Sequence, residues 1–268
     1  MSGTPFFDSG IRRLDTLVRE GMLCAFDFDG TLAPIVVRPE AARMPPGTMQ
    51  RLAELGRHAP VAIITGRSVA DVQPRLECQP DFIVGNHGLE GLPDMPRHAD
   101  RHAAMCAEWL RVLMTAVDDP GIRFEDKGCS LSVHYRLARD QAHAEAMLAG
   151  VLDRLAPPAR IVGGKCVFNV MPPDAPHKGD ALRRLMRFSG ARHAIYVGDD
   201  VTDEDVFRLR LPEVLSIRIG RAADSAADYF LHHRLDMFRL LDELIKRLRE
   251  AHANNWLRTA SGGLPATV

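Results

Sequence analysis

The chain has almost no charge imbalance: 34 Lys and Arg stand against 35 Asp and Glu in 268 residues, a formal net charge of −1. Nothing draws it as a whole to nucleic acid or to an anionic membrane, so an anion-binding site must be local. It also lacks a long apolar run. No stretch approaches the ~20 residues that cross a bilayer. The opening MSGTPFFDSGIRRLDTL has none of the basic flank, apolar centre and small-residue cleavage site of a secretory leader. The expectation is a cytoplasmic protein with neither membrane nor nucleic acid among its partners. Cysteine is scarce: Cys24, Cys78, Cys106, Cys129 and Cys166 are odd in number and never spaced C-x-x-C. That fits reduced thiols, not a disulfide framework or a zinc site. Repeats and low-complexity tracts are missing too.

What is present is a threefold pattern. Met22–Phe26, Val61–Ile64 and Ala194–Val197 are short apolar runs, and each leads into polar groups: Asp27-Phe-Asp-Gly-Thr31, Thr65-Gly-Arg67 and Gly198-Asp-Asp200. Near-continuous hydrophobicity indicates strands covered on both faces, as in a parallel sheet. Further strands are expected at 81–84 and 215–219. Helices are expected at 47–57, at 68–76 with Ser68 as a possible cap, at 178–188 stopped by Gly190, and at 236–252. The alternation predicts a doubly wound α/β core with its ligands beyond the carboxyl ends of the strands. The three polar endings should therefore share one crevice.

Residues ~95–172 break the rhythm. Helical stretches at 100–117 and 138–155 flank 122–136, where Ser130, Ser132, His134 and Arg136 alternate with Leu131, Val133 and Tyr135. Glu125 and Lys127 share one face of the preceding strand by the two-residue period. The reading is an inserted α+β domain with an open polar sheet face, over 96–172, between core segments 1–95 and 173–268. The tail after His252 is expected to be mobile.

Asp27 and Asp29, two apart at a strand end, can point their carboxylates into one space, where they repel unless a cation or proton intervenes. Gly30 lets the chain turn, and Thr31 is placed to cap the next segment. Asp199, Asp200 and Asp203 come from the other strand end. An acidic cluster without His or Cys suits Mg²⁺ better than Zn²⁺. Thr65, with the backbone around Gly66, can supply donors to phosphate oxygens. Lys178 adds positive charge at a helix start. A calcium loop fails: counted from Asp199, position 6 is Glu204 and position 12 is Arg210, where Gly and Glu are needed.

Asp27-x-Asp-x-Thr31, Thr65, Lys178 and Gly198-Asp-Asp-x-x-Asp203 resemble the four ordered motifs of haloacid dehalogenase (HAD) phosphatases. The resemblance implies a HAD-type Rossmann-like core with an inserted α+β cap of the family's second type. It also implies an aspartyl-phosphate on Asp27 and acid/base work by Asp29. Mg²⁺ would be held by the Asp27 carboxylate, the Asp29 backbone carbonyl and the Asp199 carboxylate, with Asp203 in support.

A narrower resemblance is to trehalose-6-phosphate phosphatases. It rests on Asn86-His-Gly-Leu-Glu90 and on Phe124-Glu-Asp-Lys-Gly-Cys-Ser-Leu-Ser-Val-His-Tyr-Arg136. It implies that Glu125, Lys127, Ser132, His134 and Arg136 bind a phosphorylated disaccharide. Gly66, Arg67, His87 and Asn169 complete the expected substrate-binding set. A trehalose-phosphate synthase of the same pathway is the protein partner it implies. One position departs: the later cap strand, Lys165 to Pro172, has Asn169 where the family usually carries Glu. That keeps a second substrate class in view, such as sucrose 6-phosphate or a glycosyl-glycerol phosphate. A non-catalytic phosphate-binding module of the same fold is the third reading.

Overall fold

Alternation within the apolar runs decides how the layers form. The computed structural model describes residues 4–19, 21–92 and 99–261. Its strands in chain order are β1 (Thr4–Pro5), β2 (Leu23–Phe26), β3 (Val61–Ile64), β4 (Phe82–Val84), β5 (Arg123–Asp126) and β6 (Leu131–His134). They continue with β7 (Arg160–Gly164), β8 (Val167–Met171), β9 (Ala194–Gly198), β10 (Val214–Ile219) and β11 (Tyr229–Leu231). The principal helices are α1 (Ile11–Leu17), α2 (Pro46–Leu55), α3 (Val69–Leu76), α4 (Ala99–Ala116), α5 (Gln141–Leu152), α6 (Lys178–Ser189), α7 (Glu204–Phe207) and α8 (Asp236–Ser261).

Seven strands form one sheet in the order β1-β11-β10-β9-β2-β3-β4, and every pairing in it is parallel. Cys24, Phe26, Val61, Ile63, Ile195 and Val197 pack to one side with Leu52 and Leu55 of α2 and Leu240, Leu241 and Leu244 of α8. Leu23, Ala25, Ala62, Ile64, Ala194 and Tyr196 pack to the other with Leu182 and Leu185 of α6 and Phe207 of α7. Adjacent residues thus bury into opposite layers, which is why the runs read as continuously apolar. Each fully buried Leu or Phe contributes about 1.5–3 kcal/mol, and two such layers stabilise the fold enough to carry a cluster of buried charges at one edge.

The parallel register brings that edge together. Phe26 lies opposite both Ile63 and Val197, so the residues after these strands emerge side by side, and Asp27 N–H donates to Val197 O at 2.9 Å. The expected helix starts hold: Ser68 Oγ accepts from Asp71 N–H, and α6 ends at Gly190 in a left-handed conformation with φ +72°.

The four remaining strands form a second sheet, β5-β6-β8-β7, antiparallel throughout. Leu131, Val133 and Tyr135 bury with Trp109 and Leu113 of α4 and Leu148 of α5 in a separate core. The expected boundary near residue 95 lies outside the described residues. Three details differ from expectation. The polar face at 130–136 is open only in part: Ser130 and Ser132 are 2% and 1% exposed, bonded to Asn86 of the large sheet's loops and to Asn169 of β8, while His134 is half-buried and Arg136 exposed. The later cap strand starts at Val167, because Lys165 and Cys166 form the turn of a β7–β8 hairpin, with Cys166 at φ +62°. Past His252 the helix runs on to Ser261; no Gly or Pro interrupts that stretch until Gly262. Among the described residues no helix is long and apolar enough to cross a membrane.

Candidate active site

Asp27 leaves β2 into a nearly dry setting, 4% exposed, and Lys178 at the first turn of α6 is 1% exposed. Lys178 Nζ donates to Asp27 Oδ1 at 2.8 Å and to Asp203 Oδ1 at 2.7 Å. Burial and the neighbouring Asp203 and Asp199 charges outweigh Lys178 and push the Asp27 carboxyl well above its ordinary pKa. Burial works against the Lys178 charge, but Asp203 and Asp27 overcome it and raise its pKa. Asp203 is saturated: Oδ1 also accepts from the Tyr196 hydroxyl at 2.6 Å, and Oδ2 accepts from the Asp199 and Asp200 N–H groups at 2.8 and 2.9 Å. It ties the acidic turn to the lysine. Tyr196 belongs to this cluster, although in the sequence it reads as one more apolar strand residue.

Asp199 is differently placed. Among the described residues its Oδ1 is buried without a hydrogen-bond partner, and its Oδ2 accepts from Lys165 Nζ at 3.4 Å. Burial and Asp203 lift its pKa to about 6. Gly30 makes the approach possible: it sits at φ +85°, and a Cβ there would lie 2.2 Å from Asp199 Oδ2. Asp27, Asp199 and Asp203 can each aim one oxygen within 4.8 Å of the others. An orphaned buried carboxylate oxygen in an all-oxygen donor set fits a hard metal ion. With Asp203 already accepting four bonds, Asp27 and Asp199 are the carboxylates left to bind it. Thr31, expected as a cap, instead has its hydroxyl buried with no partner among the described residues, since no helix begins there.

Thr65 is 1% exposed and accepts from Arg67 N–H at 3.2 Å. Arg67 lines the cavity, but its guanidinium is committed to the protein: Nε and Nη2 bind the two oxygens of Asp29 at 2.6 and 2.8 Å, and Nη1 binds Asp71 at 2.5 Å. His87, in left-handed backbone at φ +58°, fills the space beside Gly66, where a Cβ would lie 2.4 Å from its ring. Burial, with the Lys178 and Lys127 charges, keeps that imidazole neutral by lowering its pKa well below the usual value.

The second sheet closes over these groups. Lys127 Nζ donates to Gly66 O at 2.9 Å, and Ser130 Oγ to Asn86 Oδ1 at 3.3 Å. Ser132 Oγ donates to Asn169 Oδ1 at 2.8 Å, across the paired strands β6 and β8. Glu125 and His134 pair at 2.8 Å, and Arg136 donates to Lys165 O at 2.9 Å. Burial raises the Glu125 pKa, but the His134 and Lys127 contacts prevail and lower it. Together the two sheets enclose a cavity of about 230 Å³. Asp27, Asp29, Thr65, Gly66, Arg67, His87, Lys178 and Asp199 line it from below; Glu125, Lys127, Ser132, His134, Arg136 and Asn169 line it from above. Asp203 stands behind the wall. Lys165, Ile35, Val36 and Pro39 also line it; the last three carry no charge or motif that would single them out in the sequence.

An acid cluster, a lysine and a hydroxyl at one floor, under a roof of sugar-matching polar groups, suit phosphoryl transfer from a small polar ester. Comparison with known proteins points the same way. The trehalose-phosphate phosphatase of Mycobacterium bovis is 30% identical over 266 residues, spanning 94% of this chain and 68% of its own length. The C-terminal domain of Candida albicans trehalose-6-phosphate phosphatase superposes with a TM-score of 0.78 at 21% identity, covering 92% of this chain and 99% of that one. The Aspergillus fumigatus trehalose-6-phosphate phosphatase gives a TM-score of 0.61 at 25% identity, covering 91% and 100%. The trehalose-phosphatase family model matches residues 25–233. The chain belongs to the trehalose-phosphatase family.

Proposed function

We propose that the protein is a Mg²⁺-dependent phosphatase that hydrolyses trehalose 6-phosphate to trehalose and phosphate. The observation that carries the reading is the meeting of Asp27, Lys178 and Asp199 under a cap face bearing Glu125, Lys127, His134 and Arg136. Asp27 attacks phosphorus and becomes the aspartyl-phosphate. Thr65, the backbone at Gly66 and Lys178 hold the phosphoryl oxygens. Asp29 gives a proton to the departing sugar oxygen, then takes one from the water that frees the phosphate. Asp27 and Asp199 carboxylates, with the Asp29 backbone carbonyl, would hold Mg²⁺, and Asp203 fixes the turn that presents Asp199. When bound, the ion offsets the crowding of negative charge among carboxylates and phosphate.

In this reading residues 96–172 are a cap on a core made of 1–95 and 173–268, and the cap reads the disaccharide. The reaction belongs in the cytoplasm, downstream of a trehalose-phosphate synthase. Phosphate release from a panel of phosphorylated mono- and disaccharides, with Mg²⁺ and with a chelator, tests it. Trehalose 6-phosphate should lead the panel, and Asp27→Asn should abolish turnover without altering the melting temperature by more than a few degrees. A preference for sucrose 6-phosphate or a glycosyl-glycerol phosphate would instead fit Asn169, which offers one acceptor and one donor where a Glu offers acceptors only. Appreciable Mg²⁺-dependent turnover by Asp27→Asn would remove Asp27 from its role.

A further inference from the structure

Helix α3 carries a charged stripe that lies outside the reacting cluster. Arg67, Asp71 and Arg75 are spaced four apart, so the last two meet on one helix face and the first reaches it from just before the helix. Arg67 grips both oxygens of Asp29 at 2.6 and 2.8 Å, and its Nη1 donates to Asp71 at 2.5 Å. Arg75 donates to the other oxygen of Asp71. Both arginines then end on one loop, Arg67 Nη2 on Pro39 O at 2.9 Å and Arg75 Nη1 on Glu40 O at 2.7 Å. The arginine side chains are only 11% and 10% exposed. Asp71 itself does not line the cavity. Its own backbone is fixed, because its N–H is bonded to the Ser68 cap.

We propose that Asp71 is a positioning residue for the phosphatase reaction: through Arg67 it fixes the direction in which Asp29 presents its carboxyl group to the leaving oxygen. A planar guanidinium can set the plane of a carboxylate only if its own plane is set. Asp71 does that by holding Nη1, and Pro39 O by accepting from the Nη2 that also binds Asp29. Without Asp71, Arg67 keeps its grip on Asp29 but gains freedom to swing, and the pair drifts together. Asp71 is well suited to the task because it keeps its charge: burial raises its pKa, but Arg75 and Arg67 prevail and hold it below the usual range.

The inference rests on Asp29 acting as the proton donor, and that dependence supplies the test. A sugar alkoxide needs a proton in order to leave, whereas 4-nitrophenolate does not. The value of kcat/KM reports events up to the departure of the leaving group, so the damage should depend on the substrate. Asp71→Ala should lower kcat/KM for trehalose 6-phosphate by about 10- to 100-fold, the scale of an ångström-sized misplacement. For p-nitrophenyl phosphate the loss should stay within about threefold. Asp71→Asn, which keeps the shape, should fall between wild type and Asp71→Ala. The ratio of the two substrates on one preparation is independent of the fraction folded, so a destabilised variant still gives an answer. Equal losses on both substrates, or no loss on either, would overturn the proposal. Asp29→Asn is measured alongside. If its loss is itself indifferent to the leaving group, the donor role assigned to Asp29 fails, and the role of Asp71 fails with it; if only Asp71→Ala is indifferent, the donor role stands and the positioning role falls.

Discussion

A methyl group is enough to disturb the Asp199 carboxylate, one of the two proposed to hold Mg²⁺. Alanine at position 30 would carry its Cβ 2.2 Å from Asp199 Oδ2, on backbone at φ +85° that L-residues rarely adopt. Gly30→Ala should destabilise the protein by about 1–3 kcal/mol and weaken its response to Mg²⁺, as chemical denaturation with and without the ion would reveal. Asp199 also makes stability depend on pH. Its pKa is raised from 3.8 to about 6 by burial, so the native state holds that proton more tightly than the unfolded chain. The resulting stabilisation is fully present below about pH 4 and is lost as pH rises through about 6, on the order of 2–3 kcal/mol at two pKa units. A bound cation favours the ionised form and acts in the opposite sense. In chelator the melting temperature should fall between pH 5 and pH 7, and Mg²⁺ should raise it much more at pH 7 than at pH 5. An equal Mg²⁺ effect at both values would contradict the raised pKa of Asp199.

At the scale of elements, β5 and β6 explain both what the sequence reveals and what it hides. Alternation along 130–136 is enough to place Leu131, Val133 and Tyr135 in a core, and they are buried. It cannot say that Ser130 and Ser132 are buried as well, because their cover comes from Asn86 in the large sheet's loops and Asn169 on β8, distant in sequence. The same holds on β9. Tyr196 reads as apolar filling until Asp203 folds back to accept from its hydroxyl. Arg67 reads as a ligand for substrate, and it does line the cavity; what the sequence hides is its grip on Asp29, a strand end 38 residues away. Strand ends and helix caps are legible because they depend on neighbours in sequence; pairings between layers are not. Glu125 tests the cap strand on its own. It pairs with His134 at 2.8 Å in the cavity roof, on the second sheet and not among the acids of the floor. Glu125→Ala should reduce kcat/KM for trehalose 6-phosphate by about tenfold, the loss expected when a charged hydrogen-bond partner of the sugar is removed. Turnover of p-nitrophenyl phosphate, which has no sugar to recognise, should change little. Equal losses on both would detach β5 from substrate recognition.

Across the whole molecule the two sheets keep separate main cores, joined by a small apolar cluster of Leu89, Met171 and Ala175 and, over the cavity, by polar contacts. Two lysines span the gap: Lys127 on the cap reaches Gly66 O at 2.9 Å, and Lys165 at the hairpin tip reaches Asp199 at 3.4 Å. Both come from the roof and end on the floor, so each favours the closed arrangement. A typical hydrogen bond nets about 0.5–1.5 kcal/mol, and more when charged. Lys165 is 60% exposed, so its contact is screened by solvent, and removing both should shift a closed–open balance by about 1–2 kcal/mol without touching the main cores. A closed form that dominates in the wild type would then become a minority. The double variant Lys127→Ala/Lys165→Ala should show a larger radius of gyration by small-angle scattering and faster amide exchange in the stretch from Thr65 to His87, while its melting temperature stays within a few degrees. Its KM for the disaccharide phosphate should rise about tenfold, because the roof must now be brought down by substrate alone. If scattering and exchange are unchanged while KM rises, the lysines act only as substrate contacts and the cap is held shut by something else.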